Sequence, residues 1–213
     1  MVAHLSDPDT LTLHAVRLLG FAELRRVANR FAQDVEQTHE RLLDVEALGW
    51  VDRSAFAGEE GWSLTARGRA EGERRLAAEL DVTGARGVVS GVHDRFLPLN
   101  ARFQDAVTRW QVRRAPGGTF TDNDHTDHRW DDRVLEDLRS VGRRLGPLEA
   151  ELTEVLARFA GYAHRYDAAL EHALAGGGAR WVDAIGLDSC HVVWMQLHED
   201  LLATLGLERG SEG

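Results

Sequence analysis

The side chains best able to do chemistry fall in two stretches. The run Thr121-Asp122-Asn123-Asp124-His125-Thr126-Asp127-His128 gathers carboxylates and imidazoles, the groups that bind divalent metals. Near the end of the chain, Cys190, His191, Trp194, Met195, His198 and Glu199 place polar and aromatic groups in an apolar helical pattern. His191 and His198 are seven residues apart and share a helix face, but about 10.5 Å of helix axis separates them, too far for one ion to bridge easily. A metal there needs further ligands from His125 or His128. The bland alternatives are a solvated loop whose Asp and Thr side chains cap the next helix, and core or interface histidines with satisfied hydrogen bonds. Cys190 near a helix start would have a lowered thiol pKa, but adjacent His191 points a different way, so no ready Cys-His pair is expected. The chain has no P-loop, GxGxxG turn, GxSxG elbow or HExxH motif. Trp110, Trp130, Trp181 and Trp194, with Tyr162 and Tyr166, either wall a ligand pocket or form plain core. The candidate ligand-binding set is therefore Trp110, His125, His128, Trp130, His191, Trp194 and His198, with the Asp122 to His128 loop as a lid. The identity of any metal or cofactor stays open.

The elements that must position these groups read as helices. Leu11, Ala15, Leu18 and Leu19 give a first amphipathic helix, started by Asp9 or Thr10. Beyond Gly84, Val88, Val92, Phe96 and Leu97 mark one helix and Leu99, Phe103, Ala106, Val107 and Trp110 another, with Pro98 as a kink or a first-turn residue. Arg113 to His128 reads as one long loop broken by Pro116-Gly117-Gly118. Helices then follow through Val134, Leu135, Leu138, Val141 and Leu145, through Leu148, Leu152, Val155, Leu156 and Phe159, and through Tyr162, Tyr166, Ala169, Leu170 and Leu174 to Gly176-Gly177-Gly178. A short turn over Trp181 to Ile185 precedes a last helix, Ser189 to Leu205, capped by Asp188. The expectation for 81–213 is an all-α bundle that senses an effector or dimerises.

The N-terminal part has a different pattern. Leu24, Val27, Ala28 and Phe31 form a short apolar stripe, Asn29-Arg30 reads as a turn, and Val35, Thr38, Leu42 and Val45 form a second stripe ending at Leu48-Gly49, where Gly suits a left-handed cap. Trp50-Val51-Asp52-Arg53 and Trp62-Ser63-Leu64 then flank the turn-rich Ala57-Gly58-Glu59-Glu60-Gly61 as a hairpin. Thr65 is a good N-cap for a helix from Ala66 to Leu80. This order, helix, turn, helix ending in Leu-Gly-Trp-Val, hairpin, then Leu-Thr-x-x-Gly-Arg, resembles the DNA-binding half of MarR-type and related winged helix-turn-helix regulators of the kind found in actinobacteria. The resemblance covers about the first third of the chain. It implies a mainly α fold with a small β-hairpin wing, and a second motif helix that enters the major groove. On that likeness the base-facing candidates are Gln33, Glu36, Gln37 and Glu40, and the phosphate-facing ones Arg25, Arg26, Arg30, Arg41, Arg53, Arg67 and Arg69.

The 213 residues carry a net charge of -10. Up to Leu80 there are 10 Arg against 14 acidic residues, a net of -4, so neither part is a basic nucleic-acid module by bulk charge. Asp34, Glu36, Glu40 and Asp44 on the helix that the resemblance places in the groove, and Glu59-Glu60 at the implied wing tip, repel phosphate. No stretch approaches the apolar length of a membrane span, and the single Cys190 fits a reducing compartment, so a cytoplasmic location is expected. The leading expectation is a dimeric DNA-binding transcriptional regulator, not an enzyme, with domains at 1–80 and 81–213, double-stranded DNA as partner and a small effector for the second domain. The alternatives are a winged helix used for protein contact, and a metal- or thiol-dependent enzyme in the C-terminal domain.

Overall fold

Asp7 starts the first helix: its carboxylate accepts from the backbone N–H of Asp9 and Thr10, two to three residues earlier than the sequence suggested, with Pro8 at the first helical position where its missing N–H costs nothing. In the computed structural model, which describes residues 2–56, 58–114, 118–176 and 178–208, the elements in chain order are α1 (Pro8–Leu19), β1 (Phe21–Ala22), α2 (Leu24–Arg30), α3 (Val35–Ala47), β2 (Val51–Phe56), β3 (Glu59–Leu64), α4 (Ala66–Thr83) and α5 (Arg86–Gln111). These are followed by β4 (Val112–Arg114), β5 (Phe120–Asp122), α6 (His128–Gly142), α7 (Leu145–Val155), a 3-10 turn at Ala157–Phe159, α8 (Tyr162–Leu174), α9 (Arg180–Asp183) and α10 (Cys190–Leu205). The fold is mainly α, and no helix among the described residues is long and apolar enough to cross a membrane. The expected breaks at Ala57, at Pro116-Gly117 and at Gly177 lie outside the described residues.

The chain divides into two compact units, the first made of Met1–Val89, Thr153–Arg158 and His198–Gly213, the second of Ser90–Leu152 and Phe159–Leu197. This division is not a single cut near Leu80, because two later segments return to complete the first unit. His4 pairs in parallel with Leu156, its N–H donating to Val155 and its carbonyl accepting from Ala157, both at 3.0 Å.

In the first unit, α1, α2 and α3 close on one core of Leu13, Ala15, Val16, Val27, Leu42 and Val45, to which the sheet adds Ala22, Val51 and Trp62. The sheet order is β1-β3-β2, antiparallel throughout, with Ala22 and Arg53 both opposite Trp62. Gly49 (φ +71°) takes the left-handed position after α3, and Trp50 N–H reaches back to the Val45 carbonyl at 2.9 Å, the six-to-one bond of a Schellman end. That reversal feeds β2. Thr65 caps α4 through Gly68 N–H at 2.9 Å, and a Cβ at Gly68 would sit 1.8 Å from the Trp50 carbonyl oxygen, so only glycine lets α4 approach the strand end this closely.

One expectation for this unit needs correction. Asn29-Arg30 is not a turn: α2 runs through both, because Val27 and Ala28 are fully buried and the helix must continue to cover the core. The turn is Phe31 to Asp34, with Ala32 at φ +50° and Asp34 capping α3 through Gln37 N–H.

The second unit is also mainly helical but not all-α. Arg113-Arg114 and Phe120-Thr121-Asp122, expected in a loop, pair antiparallel with Arg113 opposite Thr121, and Asn123 N–H extends the ladder to the Gln111 carbonyl at 2.8 Å. Short strands of three residues carry too little alternation to register as a period. Pro98 does not divide α5. It and Asp94, whose carbonyl loses its helical partner, are both solvent-exposed, so water can take the freed acceptor and the helix runs on. Asp188 is not the cap of α10 either: Ser189 Oγ accepts from Val192 N–H, while Asp188 forms a two-point pair with Arg165.

Candidate functional site

The surface of α3 is the first candidate. Thr38, Leu42 and Val45 bury its inner stripe, which leaves Glu36, Gln37, Glu40, Leu43 and Asp44 exposed on the outer one. Gln37 accepts from Arg41 Nη2 at 3.2 Å, and Arg41 lies 3.4 Å from Asp9. Arg25 and Arg67 are exposed and Arg26 is half-buried. Arg53 is exposed with its guanidinium over the Trp62 ring, 5.5 Å from the centroid, and Arg69 lies 3.6 Å from Glu199. Two candidates do not belong to this surface. Arg30 has a side chain only 3 % exposed, with Nη2 4.0 Å from Asp200, so it faces inward and not toward a phosphate. Gln33 donates to the Pro8 carbonyl at 2.9 Å and accepts from Thr12 at 3.1 Å, which commits its amide to holding the turn.

Arg30 leads to a buried charge cluster. Asp200 on α10 is fully buried, and its Oδ1 receives His14 Nε2 at 2.8 Å and the Arg158 guanidinium. Arg158 also donates to Glu79 at 3.0 Å and to Thr204 at 2.7 Å, and Ser6 donates to Glu79. Burial by itself would raise the Asp200 carboxyl, but the cations Arg158 and Arg30 and the hydrogen bond from His14 hold it well below the usual carboxylate range. Burial pushes His14 below its ordinary value despite the Asp200 carboxylate. His14 is thus a neutral imidazole with its hydrogen on Nε2, since a carboxylate can only accept. The cluster is not legible in the sequence because its members are scattered over nearly two hundred residues. The available signal was a His and an Asp set inside apolar helical stripes, where a titratable group needs a partner.

In the second unit, the loop after β5 does gather part of the expected ligand set. His125, at φ +55°, lies on the Trp110 ring with centroids 4.5 Å apart, and its Nδ1 is 3.1 Å from Asp131 Oδ2. Asn123 Nδ2 spends its two hydrogens on the Trp110 carbonyl and Asp131 Oδ1, both at 2.9 Å. The hydrogen on His125 Nδ1 therefore goes to Asp131, which fixes the orientation of this half-exposed ring. Trp130 joins from α6, its indole N–H donating to the Arg109 carbonyl at 2.9 Å, with the Arg113 guanidinium 5.3 Å from its ring. Asp127 caps α6, so the capping role of this loop is real, while His128 is exposed.

The last-helix candidates have other surroundings. Trp194 is 0 % exposed, stacked on Phe103 at 4.6 Å and Phe96 at 4.9 Å, edge-on to Tyr166, with its indole N–H on Asn100 Oδ1 at 3.0 Å. It is a core residue, so a role as the wall of an open pocket is withdrawn. His191 is half-buried with its ring parallel to Phe103, and His198 is buried in the first unit. Burial raises the Cys190 thiol to about 12, the opposite of an activated nucleophile. Among the described residues, no group of three His, Cys, Asp or Glu side chains is placed to hold a metal ion.

No protein-family model, curated protein or solved structure matches this chain.

Proposed function

We propose that the chain is a dimeric transcriptional regulator of winged-helix type, in which α3 reads a DNA duplex, the β2–β3 hairpin is the wing, and the second unit receives an effector. The observation that carries this reading is α3 itself, a helix buried along Thr38, Leu42 and Val45 that turns Glu36, Gln37 and Glu40 outward. Gln37 has the groups to pair with adenine, and Glu36 or Glu40 can accept from cytosine. Exposed Arg25, Arg53 and Arg67 supply phosphate contacts. The test is retardation of duplex DNA from upstream of the coding sequence across a salt series. Arg53→Ala and Arg67→Ala should weaken binding to all sequences alike, whereas Gln37→Ala should relax the preference. Folded protein that shows no sequence-selective retardation at low salt overturns the reading.

A second reading rests on the character of the same face. Glu36, Glu40 and Asp44 are exposed beside Leu43 and Leu48, which are 36 % and 47 % exposed. An acidic surface with apolar points suits a basic protein partner better than a polyphosphate. Protection of α3 amides by such a protein, with no retardation of DNA, would favour it.

A further inference from the structure

The turn ahead of α3 holds a conformation that its own residues do not favour. Ala32 at φ +50° sits where a Cβ crowds the following carbonyl oxygen, and its methyl group can make no hydrogen bond to brace the turn. Both neighbours are held from outside instead. On one side the Gln33 amide bridges the Pro8 carbonyl and the Thr12 hydroxyl, as described above. On the other, the Phe31 ring lies parallel to His14, with centroids 5.9 Å apart and planes at 15°, and the Arg30 guanidinium carbon is 4.4 Å from its centroid. His14 and Arg30, the two groups against Phe31, both face the Asp200 carboxylate, at 2.8 Å and 4.0 Å.

We propose that Asp200 is a positioning residue for α3: by fixing the rotation of the His14 ring and the place of the Arg30 guanidinium, it clamps Phe31 and so sets the turn that delivers the helix. The proposal rests on the reading of α3 as the contact helix. The carboxylate has two arms. Arg158 carries one to Glu79 and Thr204, which joins α4 and α10 and concerns stability. His14 and Arg30 carry the other to the turn. An amide at position 200 keeps the shape and the acceptor oxygen toward His14 and Arg158, but it removes the negative charge and sets an N–H2 in place of the Oδ2 that faces the Arg30 guanidinium, which loosens the cation that Phe31 packs against.

The test is hydrogen exchange on the full chain, read at the amides of Ala32, Gln33, Gln37 and Thr38, which donate to the Asn29 and Ala28 carbonyls and to the Asp34 side chain and carbonyl. Asp200→Asn should speed exchange there by about tenfold while the amides of Leu76 and Leu80 in α4 change far less. Phe31→Leu cuts the link but leaves every charged group, and should reproduce the local loosening. Phe31→Tyr, which keeps the ring, should restore protection. If Asp200→Asn does not fold, the Phe31 pair decides alone. Unchanged exchange at the turn in Phe31→Leu, or a rise spread evenly through the unit, overturns the proposal. Loosening in a protein that never retards DNA upholds the clamp and overturns the DNA reading. Weaker binding to the upstream duplex with a fully protected turn does the reverse.

Discussion

In the first unit, two guanidinium-bearing residues, two carboxylates and an imidazole are buried together around Asp200 and Glu79, whereas in the second unit Trp194 makes a neutral bond to Asn100 inside a stack of Phe96, Phe103 and Tyr166. The contrast separates specificity from bulk stability. Buried ions contribute little net energy compared with apolar residues of the same volume, but losing one partner is severe. An aromatic stack tolerates small losses because dispersion is spread over many atoms.

The largest break should come from Arg158→Met, which leaves Asp200 and Glu79 buried without their shared counter-ion: we expect a loss of about 3–5 kcal/mol in denaturant unfolding. Trp194→Phe keeps the stack but removes the indole N–H and strands the Asn100 oxygen, for about 2–4 kcal/mol in the same measurement. A smaller loss for Arg158→Met than for Trp194→Phe would reverse the comparison. The units should also differ in acid. Because the folded-state pKa of His14 is lowered, the unfolded chain takes up its proton first as pH falls through about 6.5, so stability falls from there downward by up to about 1.4 kcal/mol per pH unit until the folded pKa is reached. The depressed Asp200 carboxyl adds a second loss at lower pH, since its contribution is complete above the unfolded carboxylate pKa and fades below it. His14→Gln should flatten the first phase, as read by unfolding midpoints between pH 7 and 5.

In the second unit the raised Cys190 thiol should resist alkylation at pH 8 until the protein is unfolded, so labelling that keeps pace with a free thiol would show the stack to be open. The smallest effect belongs to Glu151→Gln. Its two-point pair with Arg95 has good geometry, 2.6 and 2.7 Å, but stands in solvent, and its removal should leave the unfolding midpoint where it was.

Local patterns in the sequence announced the helices, the Thr65 cap, the left-handed Gly49 and the hairpin that follows it, because each depends on neighbours within a few residues. What escaped notice depends on distant groups. Pro98 reads as a break because exposure of the Asp94 carbonyl is not visible in a sequence, and strands as short as β4 and β5 exist only as a pair. The gathering of polar groups at His125 was legible in the sequence, and that loop does meet Trp110 and Trp130. Trp194 looked the same on paper but is core, since an aromatic in an apolar stripe carries no mark of whether a cavity lies beside it. Arg30 was misread for a related reason: its likeness to a surface Arg ended where Asp200 waited to be paired.

The return of Thr153–Arg158 and His198–Gly213 to the first unit has a consequence for how the chain is made. As it leaves the ribosome, α1 through α4 emerge with Glu79, His14 and Arg30 facing an unfinished centre; Arg158 arrives only after Ser90–Leu152 of the second unit, and Asp200 only after that unit is complete. Contacts so far apart in sequence form slowly. α3 is therefore among the first elements synthesised and the last to be locked, so a nascent or truncated chain carries it without the residue that fixes it in place.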